Sequence, residues 1–379
     1  MYDIKVHRNV PSEELLRSGI KLLVHSNPWI MNFISIFFCG FIRRFMKITY
    51  CCFIALLYHA QIYATALPPF SIFSSAFDGV NIEVDTLKIT YTYKQAGELK
   101  ILADVYPAAG KNRPVVVWIH GGALIMGNRE GVPDWLLEAC RRNEYVLVSF
   151  DYRLAPETKL PLIIEDVEDA FRWIGEKGPK LFHADPRRIA VVGGSAGGYL
   201  TLTAGFRVKP RPRALVSLYG YGDVVGPWYS EPSSHPRHQV SKLSREEAFK
   251  QVSGKPIADS RERKGDGGAF YQFCRQQGLW PKAVSGWDPR KEPEKFYPYM
   301  AVKNVTADYP PTLLIHGDKD TDVPYEQSEM MAVEFRKHQV EHRLIRLEGG
   351  EHGLAGADPK LINQAYVDAA TFLERHLGH

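Results

Sequence analysis

The chain has 379 residues, 45% of them hydrophobic and 24% charged, with 31 Gly and 25 Pro. That composition excludes collagen-like, low-complexity and wholly disordered chains. The formal net charge of +4 belongs to residues 1–66, because residues 67–379 carry equal numbers of basic and acidic groups. Charge therefore gives no support to nucleic-acid binding.

From the N-terminus, Trp29 to Ile42 is a mostly apolar run closed by Arg43, Arg44 and Lys47, and a second apolar run extends from Ile48 to Leu67. A run of about 20 apolar residues with basic flanks can span a bilayer. Met46-Lys47, Ile48 to Tyr58 and Ala64-Thr65-Ala66 also have the charged start, apolar middle and A-x-A ending of a secretory signal. In that case residues 1–45 are an upstream extension. A third alternative is an apolar arm packed on the protein itself. The expectation is an N-terminal segment, 1–66, that serves export or membrane attachment through residues 29–67, and a secreted or membrane-anchored protein. Cys39, Cys51 and Cys52 lie in this segment, leaving Cys140 and Cys274 in the body without any CxxC spacing. Two buried free thiols are expected there.

After Pro68-Pro69 the pattern turns to alternating strands and helices. Leu87 to Tyr93 and Leu99 to Tyr106 read as strands around a turn at Ala96-Gly97. Val115 to Ile119 is apolar throughout, as a strand buried on both faces should be. A helix over Asp134–Arg142, a strand over Tyr145–Phe150 and a helix over Leu162–Glu176 follow. Next come a strand at Ile189–Val192, a helix at Ala196–Phe206 and a strand at Leu215–Leu218. The rhythm breaks between Gly222 and about Asn304, a stretch rich in Pro, Gly, Ser and charge with helical pieces near Arg245–Gln251 and Ala269–Gln277. It resumes with a strand at Thr312–Ile315, a helix at Tyr325–His338, a strand at Arg343–Arg346 and a helix at Leu361–Leu377. The alternation implies a mainly parallel central sheet flanked by helices. Residues 67–379 then form one domain carrying a cap-like insertion at about 222–304.

Chemistry concentrates where strands end. Gly193-Gly194-Ser195-Ala196-Gly197 fits G-x-S-x-G between a predicted strand and helix, a sharp turn that exposes a serine oxygen to a base and a substrate carbonyl. His120-Gly121-Gly122-Ala123 follows another strand, and its small residues allow backbone N–H groups to face a ligand. The loop His316-Gly317-Asp318-Lys319-Asp320-Thr321-Asp322 supplies carboxylates, and His352 lies between glycines in Gly349-Gly350-Glu351-His352-Gly353. The order Ser, Asp, His is the one expected when successive loops of a parallel sheet supply a nucleophile, an orienting acid and a base. Spacing alone leaves Asp318, Asp320 and Asp322 open as the acid. Trp228 and Tyr229 could line an acyl pocket under the insertion or pack in the core. His235 and His238 have no Asp or Glu at ligand-like spacing, so no metal site is expected.

Residues from about 85 to 377 resemble α/β-hydrolases, most closely the hormone-sensitive-lipase-like esterases. The resemblance rests on His120 to Ala123, Asp151-Tyr152-Arg153-Leu154-Ala155-Pro156-Glu157, Gly193 to Gly198, and the late aspartate and histidine. It implies the α/β-hydrolase fold, with Ser195 as nucleophile, Asp320 as acid and His352 as base. Oxyanion amides fall in the loop of Gly121, Gly122 and Ala123 and at Ala196, and Tyr152-Arg153 braces the sheet edge. The substrate implied is a small-molecule ester, with no metal or organic cofactor required. Three departures stand out. Ala123 replaces a glycine, adding a methyl expected to narrow alcohol-side access. Gly194 replaces the acidic residue often found before the serine. The acid loop's HGDxDxxVP form is closer to prolyl-oligopeptidase-type hydrolases, which keeps a peptidase or amidase open as an alternative, with a non-catalytic ligand-binding homologue behind it.

Overall fold

β-Branched and apolar runs buried on both faces build the centre of this protein, whose computed structural model describes residues 88–252 and 254–378. The apolar runs of residues 29–67, with their export, anchor and packed-arm alternatives, lie outside the described residues. Among the described residues no helix is long and apolar enough to cross a membrane.

Strands β1 (Ile89–Ala96) and β2 (Leu99–Tyr106) form an antiparallel hairpin at one sheet edge. β3 (Arg113–Ile119) follows, then helix α1 (Asp134–Arg142), β4 (Val146–Phe150), α2 (Leu160–Leu181), β5 (Ala184–Gly194), α3 (Ala196–Arg207) and β6 (Ala214–Leu218). After a long helical insertion come β7 (Thr312–Gly317) and β8 (His342–Leu347). The strand order is β1-β2-β4-β3-β5-β6-β7-β8, and β3 to β8 run parallel.

Side chains alternate between the two faces of a strand, and here both faces are buried. Val115, Val117 and Ile119 pack with α2 and α3, whereas Val116 and Trp118 pack with Leu136 and Cys140 of α1. The parallel strands therefore read as continuous apolar runs. Cys140 and Cys274 are buried free thiols.

Two boundaries move outward from their sequence expectations by five residues, more than any other. β5 begins five residues early, at Ala184, because Asp185 binds the Arg187 and Arg188 side chains and so neutralises a polar start. Helix α2 runs on to Leu181 through Pro179, its end closed by the Phe182 amide donating to the Gly178 carbonyl at 3.0 Å.

The insertion holds four short helices: α4 (Pro227–Ser230), α5 (Arg245–Phe249), α6 (Gly268–Gln277) and α7 (Trp280–Ser285). α5 starts with a reciprocal cap, Ser244 and Glu247 each satisfying the other's backbone N–H. Phe270, Trp280 and Phe296 are fully buried in the same core cluster as the strands, so the insertion packs down onto the domain. After β7, α8 (Glu326–Lys337) and, after β8, α9 (Pro359–Leu377) complete the flanking layers.

Candidate active site

The candidate residues meet because they all sit at the C-terminal edge of the parallel strands, where an open α/β sheet binds its ligands. Ser195 follows β5 at φ +57°, ψ −121°, a conformation that costs a non-glycine residue about 1–3 kcal/mol and that functional turns retain. The turn closes only with glycine at its flanks. A Cβ on Gly193 would come within 2.3 Å of the Gly197 carbonyl oxygen, and one on Gly197 within 2.0 Å of the Ile119 carbonyl oxygen.

Ser195 Oγ lies 2.9 Å from His352 Nε2, and His352 Nδ1 lies 2.7 Å from Asp320 Oδ2. With Nδ1–H donating to the carboxylate, Nε2 is left to accept the serine proton. Of the three loop aspartates, geometry thus selects Asp320 to face Nδ1. Asp318 is spent on loop structure, accepting from Arg346 and from the Gly349 amide. Asp320 is further held by the amides of Asp322 and Val323 at Oδ1, and by His316 Nε2 at 3.2 Å from Oδ2. Burial would raise its pKa, but the hydrogen bonds and charges of His316 and His352 prevail and bring it down to about 2. His352 moves the other way. Burial works against the imidazolium, yet the hydrogen bond and charge of Asp320, joined by the charge of Asp322, leave its pKa above the ordinary value.

Glu351 ties the acid and base loops together. Its carboxylate accepts from the Thr321 amide at 2.6 Å, from Thr321 Oγ1, and from the His352 amide at 2.9 Å. Tyr219 presents its ring edge-on to the His352 ring, 5.1 Å between centroids. That ring also accounts for Gly194, since a Cβ there would lie 3.0 Å from the Tyr219 hydroxyl.

The loop after β3 folds over Ser195. Among the described residues, the backbone N–H groups of Gly121, Gly122, Ala123 and Ala196 have no acceptor within the chain, as a site for a developing oxyanion requires. Ala196 adds the N-terminal end of α3. His120 stacks on Tyr152 at 4.2 Å, and burial pushes its pKa down to about 4, keeping the ring neutral. Tyr152 donates to the His120 carbonyl at 3.0 Å, while Arg153 forks onto Asp166. These contacts brace the edge as the resemblance implied. Ala123 differs from expectation. It sits at φ +56° and is 5% exposed, so its methyl joins the core rather than narrowing the alcohol side, and its carbonyl accepts from Trp280 Nε1 at 2.9 Å.

Of the two readings of Trp228 and Tyr229, core packing describes Tyr229. It is 2% exposed, stacked on Trp280 at 4.0 Å and covered by the Arg275 guanidinium. Trp228 is partly buried against the same stack. The acidic group Glu165, Asp166 and Asp169 on α2 surrounds the Lys94 ammonium, and Asp166 is also the partner of Arg153.

Sequence reasoning overlooked three participants. His316 could have been noticed, standing at the end of β7 four residues before Asp320. Glu351 beside His352 carried no signal. His238 was set aside for lack of a nearby carboxylate, yet it is buried and its Nε2 lies 3.0 Å from Asp322 Oδ1, 84 residues away.

Comparison with known proteins bears on the family and the fold. The non-reducing polyketide synthase atr1 of Stereocaulon alpinum is 28% identical over 306 residues, which are 69% of this chain but only 12% of that synthase. An α/β-hydrolase superfamily protein from Enterococcus faecalis superposes with a TM-score of 0.60 at 23% identity, covering 76% of this chain and 99% of that one. A butyrate-bound thermophilic esterase from Thermogutta terrifontis gives 0.52 at 19% identity, covering 77% and 94%. Residues 116–356 match the model of a family described by the alpha/beta hydrolase fold. With that match across most of the chain, the protein belongs to the α/β-hydrolase family.

Proposed function

We propose that the protein is a serine carboxylic-ester hydrolase acting on small to medium acyl esters through an acyl-enzyme. The observation that carries this reading is the unbroken line from Ser195 Oγ through His352 to Asp320, at 2.9 and 2.7 Å, beside unpaired backbone N–H groups.

Ser195 attacks the ester carbonyl as its proton passes to His352 Nε2. Asp320 holds the imidazole in the required tautomer and stabilises the imidazolium. The amides of Gly122, Ala123 and Ala196, with Gly121 shaping the loop, receive the oxyanion. Collapse breaks the bond to the alcohol oxygen, which leaves with the proton from Nε2. Water, deprotonated by the same nitrogen, then releases the carboxylic acid and restores Ser195.

The insertion, residues 222–304, is the part that selects the substrate. Trp280 holds Ala123, Ser260 Oγ accepts from the Gly127 amide at 3.1 Å, and Arg263 binds Glu157 and the Ala155 carbonyl. Residues 29–67 we assign to export or membrane attachment. Fractionating cells that express the full chain tests this, and full-length protein in the cytosol alone would overturn it.

The decisive experiment is hydrolysis of p-nitrophenyl esters of two to sixteen carbons by the full chain and its Ser195→Ala variant, alongside an anilide of the preferred acyl group. Serine-dependent ester cleavage without anilide cleavage supports the esterase. Faster anilide cleavage would move the reading to an amidase, and a folded chain that cleaves neither would make it a ligand-binding homologue.

A further inference from the structure

His352 has a carboxylate on each side. Asp320 faces Nδ1; on the opposite side, Asp322 Oδ2 lies 3.9 Å from Nε2, the nitrogen that carries the proton to the leaving group. The two oxygens of Asp322 have different surroundings. Oδ1 takes three donors from the insertion: His238 Nε2 at 3.0 Å, Tyr271 Oη at 2.5 Å and Arg275 Nη1 at 3.0 Å. Oδ2 has no hydrogen-bond partner among the described residues, although the whole residue is only 8% exposed. Burial resists its ionisation, but His238, the charges of His352 and Arg275, and the Tyr271 hydroxyl hold its pKa far below the ordinary carboxylate range. An ionised acceptor with one oxygen saturated and the other unpaired beside Nε2 is open to a hydrogen-bond donor that a ligand or water can supply.

We propose that Asp322 Oδ2 is a leaving-group subsite that selects esters of polyols, accepting a hydrogen bond from a hydroxyl beside the ester-bearing carbon. The assignment rests on the esterase reading above. To be protonated, the alcohol oxygen must come within about 3.2 Å of Nε2. It then lies within about 7 Å of Oδ2, the reach of a hydroxyl one or two carbons along the alcohol. A methylene in that position would displace water from the carboxylate without replacing its hydrogen bond, whereas a hydroxyl supplies one. Because the donors to Oδ1 come from the segment around Pro236–His238 and from α6, the insertion sets the orientation of this acceptor while the sheet sets the triad.

The test compares three acetates on the full chain: propyl, 2-hydroxyethyl and 2-methoxyethyl. The first two differ by a methyl in place of a hydroxyl, and the third has an acceptor but no donor. The expected result is a kcat/KM at least about tenfold higher for 2-hydroxyethyl acetate than for either of the others, the size of one hydrogen bond to a charged group. Asp322→Asn sharpens the test. The three donors at Oδ1 orient the amide with its oxygen toward them, which places the NH2 group where Oδ2 was, and the preference for hydroxyl over methoxy then disappears. Equal rates in the native chain overturn the subsite without reference to any variant, and a preference that survives Asp322→Asn in a folded protein overturns it too. Faster cleavage of acetylcholine than of 3,3-dimethylbutyl acetate, by more than the hydroxyl preference, would assign Oδ2 to a cation instead. Propyl acetate cleavage that depends on Ser195 keeps the esterase reading intact in each of these cases. Its loss for all acetates would overturn both.

Discussion

The two sides of His352 are built by different parts of the chain. On the Nδ1 side the partners of the ring come from β7 and the loops at strand ends: His316 from the end of β7, Asp320 from the loop after it, and Glu351 beside the histidine itself, with Arg237 of the insertion reaching only Glu351 and Thr321. On the Nε2 side the strand-ending Asp322 is fixed by the insertion, through His238, Tyr271 and Arg275. Two aspartates separated by one residue thus serve two structures. The comparison teaches that the sheet edge brings Ser195, His352 and Asp320 into line, whereas the Nε2 side of the ring depends on a segment whose partners are distant in sequence.

Breaking the sheet side should have the largest effect. Ser195→Ala is expected to lower kcat by about 10⁵–10⁶-fold with the fold intact, measured on a p-nitrophenyl ester with circular dichroism as the control. Asp320→Asn should cost roughly 10⁴-fold, because the amide favours the wrong imidazole tautomer and leaves Nε2 protonated. Should Asp322 prove the more sensitive of the two, the division between the sides fails.

The pH profile sharpens the comparison. His352 must be neutral to accept the serine proton, and its pKa is raised, so kcat/KM should climb with pH along a limb lying above the ordinary histidine value of 6.5. The charges facing it are Asp320, Asp322 and Arg237, the first two stabilising the imidazolium and the third opposing it. Asp322→Asn removes one stabilising charge and should move that limb to lower pH. Arg237→Gln, on the insertion, should move it higher. A limb that stays in place in both variants would mean that the insertion does not reach the base electrostatically.

Restoring the residue often found before the serine is expected to harm this chain. Gly194→Asp places a side chain against Tyr219, which packs on His352, so kcat should fall by about tenfold while Gly194→Asp/Tyr219→Ala recovers part of it. The smallest effect belongs to Trp280→Phe. It removes the hydrogen bond to the Ala123 carbonyl and should lower stability by about 1 kcal/mol, read from the urea midpoint, with a modest loss of kcat.

Much of the sheet side was legible in the sequence because its signals are local. A strand buried on both faces is an unbroken apolar run, and Val115 to Ile119 reads as one without any partner being known. The serine turn has glycines on both flanks, and Asp320 and His352 stand in short loops directly after strands. α1 matches its expected limits, Asp134 to Arg142, because its apolar stripe, acidic first turn and basic last turn all agree. The insertion carried no comparable signal. Its helices are short and its apolar residues serve long-range contacts, so Trp228 and Tyr229 could be read as pocket or as core with equal justice. His238 shows the same limit, since its carboxylate partner stands 84 positions away.

The sequence by itself determined the alternation of elements, the strand-edge position of Ser195, Asp320 and His352, and their order along the chain. Those features follow from side-chain periodicity and turn chemistry, which act over a few residues. The tertiary structure brought Asp320, the acid that the resemblance implied, to His352 Nδ1, and it alone decided how closely Tyr219 stands to Gly194 and how the insertion reaches Asp322. These depend on the register of β7 against β8 and on the packing of α6 and α7 over the sheet. Register and packing are set by the whole core at once, and no window of the sequence contains them.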